Sequence, residues 1–310
     1  MFLAKLYKKF GKIWQKIGSK KIFKLKDSAY KFGELPIDEL MKFHFVFDEI
    51  DISANYNDIF EAIDNEILRD FERFRDKFSF DSPYENEIKK ALMKFAKSDR
   101  KKLGISKILP RFKAQKVVDE LLKIQFLKLE KSRETKPKPN KKNEKLPKNL
   151  RRYVVHDKVH FKSNFARFYF RFIEPNLRLL EFGENDKVLE IIKGDFDNYA
   201  SLCFEILSKE LLAKYLNIGA NEISSFWNNQ IEIDLFAKFE DFCVVGECKY
   251  KERKICKSVL NLLQSKCEKA DLRPNLIALF SKGGFSEELS SLKDEKILLF
   301  TTSDFEILLN

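Results

Sequence analysis

The sequence predicts an α+β protein, in which a helical N-terminal part with a winged helix-turn-helix precedes a mixed β-sheet flanked by helices. Three observations predict this class. Apolar residues recur every three or four positions up to about residue 125, which is the period of packed helices. A three-helix pattern there leads into a strand-like stretch that begins at Phe126. Between residues 230 and 250 apolar residues alternate with polar ones, as they do in strands.

The composition is basic and rich in aromatic residues. The 310 residues include 31 phenylalanines and are 44% hydrophobic, which is enough to fill the cores of two or three domains. The formal net charge of +11 favours a polyanionic partner, because clustered Lys and Arg release counterions from phosphates. DNA is therefore the first candidate, and a merely solvated lysine-rich surface is the alternative.

Several classes of protein are disfavoured. No continuous apolar run reaches about 18 residues, so we expect no transmembrane segment. The first residues lack the uninterrupted apolar core and cleavage site of a secretory signal. The five cysteines form no Cys-x-x-Cys pair, which favours reduced thiols over a disulfide framework or an iron–sulfur cluster. We therefore expect a cytoplasmic protein.

The first 80 residues are predicted to be helical. Residues 1–35 form a basic amphipathic segment, whose lysines would follow a phosphate backbone or an anionic membrane, or whose apolar stripe would pack on the protein itself. Residues 36–80 are more acidic and predict a helical support without chemistry of its own. His44 lies there among aromatic residues and is expected to be a packed core side chain.

Residues 81–176 are predicted to be a winged-helix-like DNA-binding module. Two helical stretches precede Pro110, and a third helix follows it. The polar face at the start of this third helix suits a DNA groove with flanking phosphate contacts, and its alternative is an ordinary three-helix bundle with a solvated basic face. The candidate contact residues are Arg111, Lys113, Gln115 and Lys116.

A basic segment, residues 131–152, interrupts this module. It is rich in Lys, Arg and Pro and nearly free of apolar side chains, so it cannot bury enough surface to order by itself. It would act as a long wing that closes over a phosphate backbone, or as a plain linker. Its candidate anchors are Lys141, Lys142, Arg151 and Arg152. The aromatic stretch that follows, residues 161–172, is expected to form a domain-joining core, with the stacking of bases as the alternative, and no metal is assigned to His156 and His160.

The C-terminal domain, residues 177–310, carries the candidate chemistry. Asp195 or Asp197 is expected to cap a helix that turns Glu205 toward the sheet. Two strands then follow, with Asp234 near the end of the first, while Glu247 and Lys249 share one face of the second. A helix, a strand, a short helix and a last strand complete the order αββαβαβ.

Two carboxylates and a lysine on a buried sheet are costly unless a cation or a partner neutralises them. Carboxylate oxygens of Asp234 and Glu247, with the backbone carbonyl of Cys248, are the ligands that Mg²⁺ prefers. Lys249 would hold or polarise the attacking water, and Glu205 would assist. The alternative is that Glu247 and Lys249 face solvent at a strand end.

An acidic helix, an Asp on one strand and a Glu-x-Lys on the next resemble the PD-(D/E)XK nuclease fold. More narrowly, the sequence resembles the domain of unknown function 234, found at the C-terminus of archaeal-type AAA ATPases. The segments that carry this resemblance are YVVHDKVHFKSNFARFYFRFIEPN (153–176), FEILSKELL (204–212), Phe226-Trp227, EIDLFA (232–237), GECKY (246–250) and LFSKGGFSEEL (279–289).

The resemblance covers roughly residues 80–310 and implies a restriction-endonuclease-like sheet and a Mg²⁺- or Mn²⁺-dependent deoxyribonuclease. The relatives' ATPase module is expected to be absent, because Gly11-Lys12 is followed by Ile13 and lacks the glycine of a phosphate-binding loop. The alternative function is a catalytically silent DNA-binding or regulatory protein. A separate ATPase or a second copy of the chain is a further predicted partner.

Overall fold

A computed structural model describes residues 24–97, 100–134, 139, 141, 144–151, 153–240 and 242–310, with the side chains of residues 103, 149 and 150 excepted. The chain forms two compact units. The first unit contains the described residues up to Glu130, residues 159–203 and the last three residues, and the second contains the rest. The described residues show a mixed α+β architecture, with helices toward the N-terminus and a mixed five-stranded sheet toward the C-terminus. None of the helices described is both long and apolar enough to cross a membrane.

Short helices dominate the first unit. They are α1 (Leu25–Phe32), α2 (Ile37–Val46), α3 (Ile59–Ile63), which continues as a π-helix to Leu68, α4 (Phe71–Lys77), α5 (Glu85–Ala96) and α6 (Arg111–Lys123). His44 is buried and its Nδ1 lies 2.7 Å from the hydroxyl of Ser28, so it is the packed core side chain that the sequence predicts.

The predicted three-helix pattern is present in part. Helices α5 and α6 match its first and third members, but the second is a 3₁₀-helix, Lys102–Lys107. Strand β1 (Leu127–Glu130) follows α6 and forms a two-stranded sheet with β2 (Lys158–Phe161), after the short helix α7 (Lys148–Arg151). The second strand therefore begins five residues later than Tyr153, where the sequence placed it. The winged helix-turn-helix itself stays a prediction.

An aromatic core fills the first unit. Phe78 lies 4.5 Å from Tyr169, between ring centroids, and also packs on Phe165 and Phe170. These rings come from α8 (Asn164–Phe168) and from the π-helical turn Tyr169–Ile173. The prediction that the stretch at residues 161–172 forms a core is confirmed.

Two further helices follow, α9 (Leu177–Glu181) and the 31-residue α10 (Asn185–Tyr215). The expectation that Asp195 or Asp197 begins a helix is wrong, because both lie inside α10. Asp195 instead accepts hydrogen bonds from the guanidinium of Arg171, with the Nε to Oδ2 distance at 2.8 Å.

The second unit is built on a mixed sheet in the order β3-β4-β5-β6-β7. Its strands are β3 (Ser224–Trp227), β4 (Glu232–Lys238), β5 (Cys243–Lys249), β6 (Leu276–Ser281) and β7 (Ile297–Thr301). Strands β3, β4 and β5 pair antiparallel, whereas β5, β6 and β7 pair parallel. Helix α11 (Lys257–Lys269) connects β5 to β6, and α12 (Glu287–Ser290) precedes β7. The predicted order αββαβαβ is therefore present with one strand more, β3.

Close packing at the centre of this sheet depends on Gly246. A Cβ at this position would lie 2.9 Å from the carbonyl oxygen of Ala278 on β6 and 3.1 Å from the Cβ of Leu235 on β4. Only glycine lets the backbones approach in this way without displacement of a neighbour. The site described next lies one residue farther along β5.

Candidate active site on the second unit

The carboxylates predicted from the sequence lie on neighbouring strands. Strands β4 and β5 pair from Lys238 with Cys243 beside the turn to Leu235 with Gly246, the pair farthest from the turn. The next step of the same antiparallel register places Asp234 opposite Glu247 on one face of the sheet. Both side chains are at least partly buried, and Glu247 is only 5% exposed.

Asp234 is held by the backbone and crowded by negative charge. Its Oδ2 accepts a hydrogen bond from the amide of Cys248 at 2.8 Å. Burial raises the pKa of Asp234 well above its ordinary value, and the charges of Glu205 and Glu247 raise it further. Lys249 and the amide of Cys248 lower this pKa, but burial and the two acids outweigh them. Asp234 thus lies where added positive charge is strongly favoured.

Glu247 is paired on both oxygens. The ammonium of Lys249 lies 2.6 Å from Oε1, and the ammonium of Lys266 lies 2.7 Å from Oε2. Burial lowers the pKa of Lys249, but the carboxylate of Glu247 outweighs this effect, so the net shift is upward and Lys249 stays charged. The prediction that Glu247 and Lys249 share a face agrees with their direct contact.

Glu205 reaches the same cluster from α10. Its charge is the second largest cause, after burial, of the raised pKa of Asp234. Burial and the charges of Asp234 and Glu205 also raise the pKa of the Cys248 thiol well above its ordinary value, so this side chain stays neutral. Ser208, one turn after Glu205, is fully buried and lies beside the Cys248 thiol.

The main chain of Cys248 offers an oxygen ligand at the same end of the β4–β5 hairpin. In a strand, the N–H and C=O of one residue point to the same side. The amide of Cys248 faces Asp234, whereas the carbonyl of the next residue, Lys249, accepts from the amide of Lys282 on the opposite side. The carbonyl of Cys248 is therefore directed toward Asp234. The sequence-based assignment of Asp234, Glu247 and the carbonyl of Cys248 to one place is consistent with this geometry.

Lys266 was not predicted as a site residue. The helical period of α11 could have identified it, because Leu263 and Cys267 are buried and Lys266 lies between them on the face that packs on the sheet. A lysine in that position needs a buried acid as partner, and Glu247 provides it.

No group of three or more His, Cys, Asp or Glu side chains is preassembled as a metal centre in the residues that the structure describes. The two lysines on Glu247 give a physical reason, because they neutralise that carboxylate in the arrangement seen here. A cavity of about 370 Å³ lies at the other end of the β4–β5 hairpin, where Lys238, Phe239 and Arg273 line it, and so does not belong to this site.

The predicted nucleic-acid contacts on α6 differ in their surroundings. Lys113 is bound to Glu87, with Nζ 2.5 Å from Oε1, and Gln115 donates to Asp119 at 2.7–2.8 Å. Arg111 and Lys116 are exposed. All four residues belong to α6, within the first unit.

The remaining predicted contacts belong to the second unit or lie outside the described residues. Arg151 donates from Nε to the carbonyl of Leu146 at 2.8 Å, and Lys141 is exposed. Lys142 and Arg152 lie outside the described residues, as does the basic N-terminal segment up to residue 23.

Of the two histidines to which no metal was assigned, His160 pairs through its imidazole and His156 through its backbone carbonyl. His160 Nε2 lies 2.5 Å from the carboxylate of Glu130, and a guanidinium nitrogen of Arg100 lies about 3 Å from the same ring. The backbone carbonyl of His156 accepts from the indole of Trp227 at 2.9 Å.

Comparison with known proteins gives a partial match. Residues 169–260 match the DUF234 family, described as archaeal and bacterial proteins of unknown function. An uncharacterized protein of Methanocaldococcus jannaschii is 38% identical over 90 residues, which are 26% of this chain and 19% of that protein. The chain thus spans about a fifth of the length of this relative. No solved structure matches the chain. The matched region contains α10 and the β4–β5 hairpin, and therefore Glu205, Asp234, Glu247 and Lys249.

Proposed function

We propose that this protein binds DNA and hydrolyses its phosphodiester bonds with the help of a divalent metal ion. One observation carries the proposal. The charges of Glu205 and Glu247 act on Asp234 at the open end of the β4–β5 hairpin, and Lys249 and Lys266 relieve this repulsion only in part. Such a concentration of buried charge is costly for folding and is typical of a functional site.

The donor atoms fit a hard cation in type. Carboxylates and a backbone carbonyl are the ligands that Mg²⁺ and Mn²⁺ take in proteins, and Asp234, Glu247 and the carbonyl of Cys248 would hold the ion. When bound, the ion supplies positive charge to the scissile phosphate and lowers the pKa of a water molecule. Glu205 would complete or orient this ligand set.

The chain's own residues would position the reactants. Lys249 stays charged beside Glu247, so its ammonium can donate to a water molecule or to a phosphate oxygen at this end of the β4–β5 hairpin. Lys266 keeps the second oxygen of Glu247 in place and limits the movement of that carboxylate. Cationic side chains would bind the DNA backbone. They are the exposed Arg111 and Lys116, together with the residues predicted from the sequence, Lys141, Lys142, Arg151 and Arg152.

A cleavage assay tests the proposal. Purified full-length protein is incubated with plasmid and with single-stranded DNA, in Mg²⁺, Mn²⁺ or EDTA. We expect cleavage only with metal, and a loss of about 10²-fold or more in Asp234→Asn, since a preorganised charged group contributes at least that much to such steps. Glu240→Gln, which changes an exposed acid at the tip of the same hairpin, is the matched control. Equal cleavage by wild type and Asp234→Asn would remove the catalytic assignment.

A catalytically silent DNA-binding protein is the second candidate. It is favoured by the double pairing of Glu247 with Lys249 and Lys266, which balances this carboxylate with protein charges alone. This candidate predicts DNA binding that is unchanged by EDTA and by Lys249→Ala, with no cleavage under any condition. A separate ATPase or a second copy of the chain stays a predicted partner, to be tested by co-purification and light scattering.

A further inference from the structure

Helix α6 exposes one large aromatic side chain beside its basic residues. Phe112 is 67% exposed, although Ala114, Val117 and Leu121 of the same helix are buried. A single exposed ring is not unusual by itself, as Phe182 with 78% exposure shows, so the charges around Phe112 decide what this ring can bind.

Positive charge is concentrated around this ring. The ammonium of Lys116 lies 4.3 Å from the ring centroid of Phe112 and 5.8 Å from that of Tyr84. Arg111 precedes the ring in the first turn and is exposed. Within the part of the chain that the structure describes, neither Arg111 nor Lys116 forms an ion pair. The surface around Phe112 is thus both apolar and cationic, which matches the bases and phosphates of a nucleic acid.

The rest of the polar face of α6 is less suited to phosphates. Lys113 is neutralised by Glu87 at 2.5 Å. Asp119 accepts from Gln115 and also lies 3.6 Å from Lys102, so acidic groups follow the first turn closely. A recognition helix in the major groove contacts base edges with its N-terminal residues, and the stacked duplex leaves no base face for an aromatic ring. On α6 the exposed cations without an acidic partner among the described residues are Arg111 and Lys116 in the first two turns and Lys123 in the last turn, with Asp119 between them.

We propose that Arg111, Phe112 and Lys116 form a stacking platform for single-stranded nucleic acid. One unpaired base lies on the face of Phe112 opposite the Lys116 ammonium, while the neighbouring phosphates contact Arg111 and Lys116. A duplex hides the faces of its bases in the stack, so a single strand offers this ring the larger contact. The platform rests on the proposed nucleic-acid binding and is independent of the proposed hydrolysis.

Binding measured in EDTA tests the platform without cleavage. The probes are a fluorescein-labelled oligothymidylate, the same oligonucleotide with abasic positions, and a duplex of equal length. We expect Phe112→Ala to weaken binding of the intact single strand about 5- to 150-fold, which is the contribution of one stacked base. Phe112→Trp should bind as tightly as wild type. Wild type should bind the abasic strand as weakly as Phe112→Ala binds the intact one.

A matched control is available on the same unit. Phe182 is 78% exposed and follows the acidic Glu181, so Phe182→Ala removes an equally exposed ring and should leave binding unchanged. Circular dichroism and a thermal melt of each variant establish that it is folded.

Three results would overturn the platform. Phe112→Ala could bind the intact strand as tightly as wild type does. It could instead lose as much affinity for the abasic strand as for the intact one, or lose more affinity for the duplex than for the single strand. These outcomes are distinct from failure of the proposed hydrolysis. If Phe112→Ala binds normally while Asp234→Asn abolishes cleavage, only the platform is wrong. If wild type never cleaves but the stacking losses are observed, only the hydrolysis is wrong.

Discussion

Glu247 shows how a single buried charge constrains its surroundings. This carboxylate is 5% exposed, and an unpaired charge at such a depth would cost several kcal/mol. Lys249 comes from the same strand, whereas Lys266 comes from α11, so local and tertiary contacts share the neutralisation. Each lysine can therefore substitute in part for the other.

A double-mutant cycle tests this shared neutralisation. We expect Lys249→Met and Lys266→Met each to lower the free energy of unfolding by about 1 kcal/mol, because one ammonium remains on Glu247. The double variant should lose about 3 kcal/mol or more, since it leaves the carboxylate buried and unpaired. Urea denaturation at neutral pH measures all four proteins. Additive losses would contradict the sharing.

The sequence predicts only part of this cluster. The alternation along β4 and β5 identifies Asp234, Glu247 and Lys249, because a period of two places alternate residues on one face. Lys266 is separated from Glu247 by 19 residues, and its contact depends on how α11 packs on the sheet. The pairing of Lys113 with Glu87 on another helix depends on tertiary packing in the same way.

At the scale of one strand, close packing around Gly246 leaves no room for a side chain at this position of β5. Gly246→Ala would place a methyl group 2.9 Å from the carbonyl oxygen of Ala278, so we expect a loss of about 1–3 kcal/mol from overpacking. Gly194→Ala is the matched control, since a Cβ there meets no atom within 4 Å and alanine favours the helix by about 0.5–1 kcal/mol. Chemical denaturation of both variants measures these opposite changes. A neutral Gly246→Ala would contradict the close approach.

At the scale of two packed helices, His44 on α2 and Ser28 on α1 make stability depend on pH. Burial lowers the pKa of His44 from 6.5 to about 4, and Asp27 opposes this only in part. Between these values the unfolded chain binds more protons than the folded one, so stability falls as pH falls through this range. His44→Gln keeps a hydrogen-bonding group toward Ser28 but removes the titration. Between pH 7 and pH 5, the free energy of unfolding of His44→Gln should fall by about 2 kcal/mol less than that of wild type.

The comparison with His44→Gln is needed because other buried groups titrate in the same range. Burial raises the pKa of Asp48 from 3.8 to about 7, so its folded form binds the extra proton and stability rises as pH falls. His160, with a pKa lowered to about 4 by burial, acts in the same direction as His44. Both groups are common to wild type and variant. A resonance of His44 that titrates near 6.5 by NMR would contradict the assignment.

Helix and strand boundaries were harder to predict than the elements themselves. The sequence places a capping acid at Asp195 or Asp197, but α10 begins at Asn185, and Asp195 is bound by Arg171 inside the helix. Strand β3 was missed because it has only four residues and pairs with β4 through an irregular register. The parallel pairing of β5, β6 and β7 agrees with helices that alternate with strands.

At the scale of the whole molecule, the two proposed activities belong to separate compact units. Arg111, Phe112 and Lys116 lie in the first unit, whereas Asp234 and Glu247 lie in the second. Binding and hydrolysis can therefore be removed one at a time by substitutions that do not share a core. The net charge of +11 belongs to the whole chain and affects any polyanion that approaches it.

The salt dependence of single-strand binding separates local contacts from this general charge. We expect the logarithm of the binding constant to fall linearly with the logarithm of salt concentration. Arg111→Gln with Lys116→Gln should reduce the slope by about 1.4, since each phosphate contact contributes about 0.7 on a single strand. The control, Lys269→Gln with Lys293→Gln, removes the same charge from exposed positions on the second unit and should change the slope little. Fluorescence anisotropy in EDTA at four salt concentrations gives both slopes. Equal changes in the two double variants would mean that net charge alone, rather than contacts at α6, governs binding.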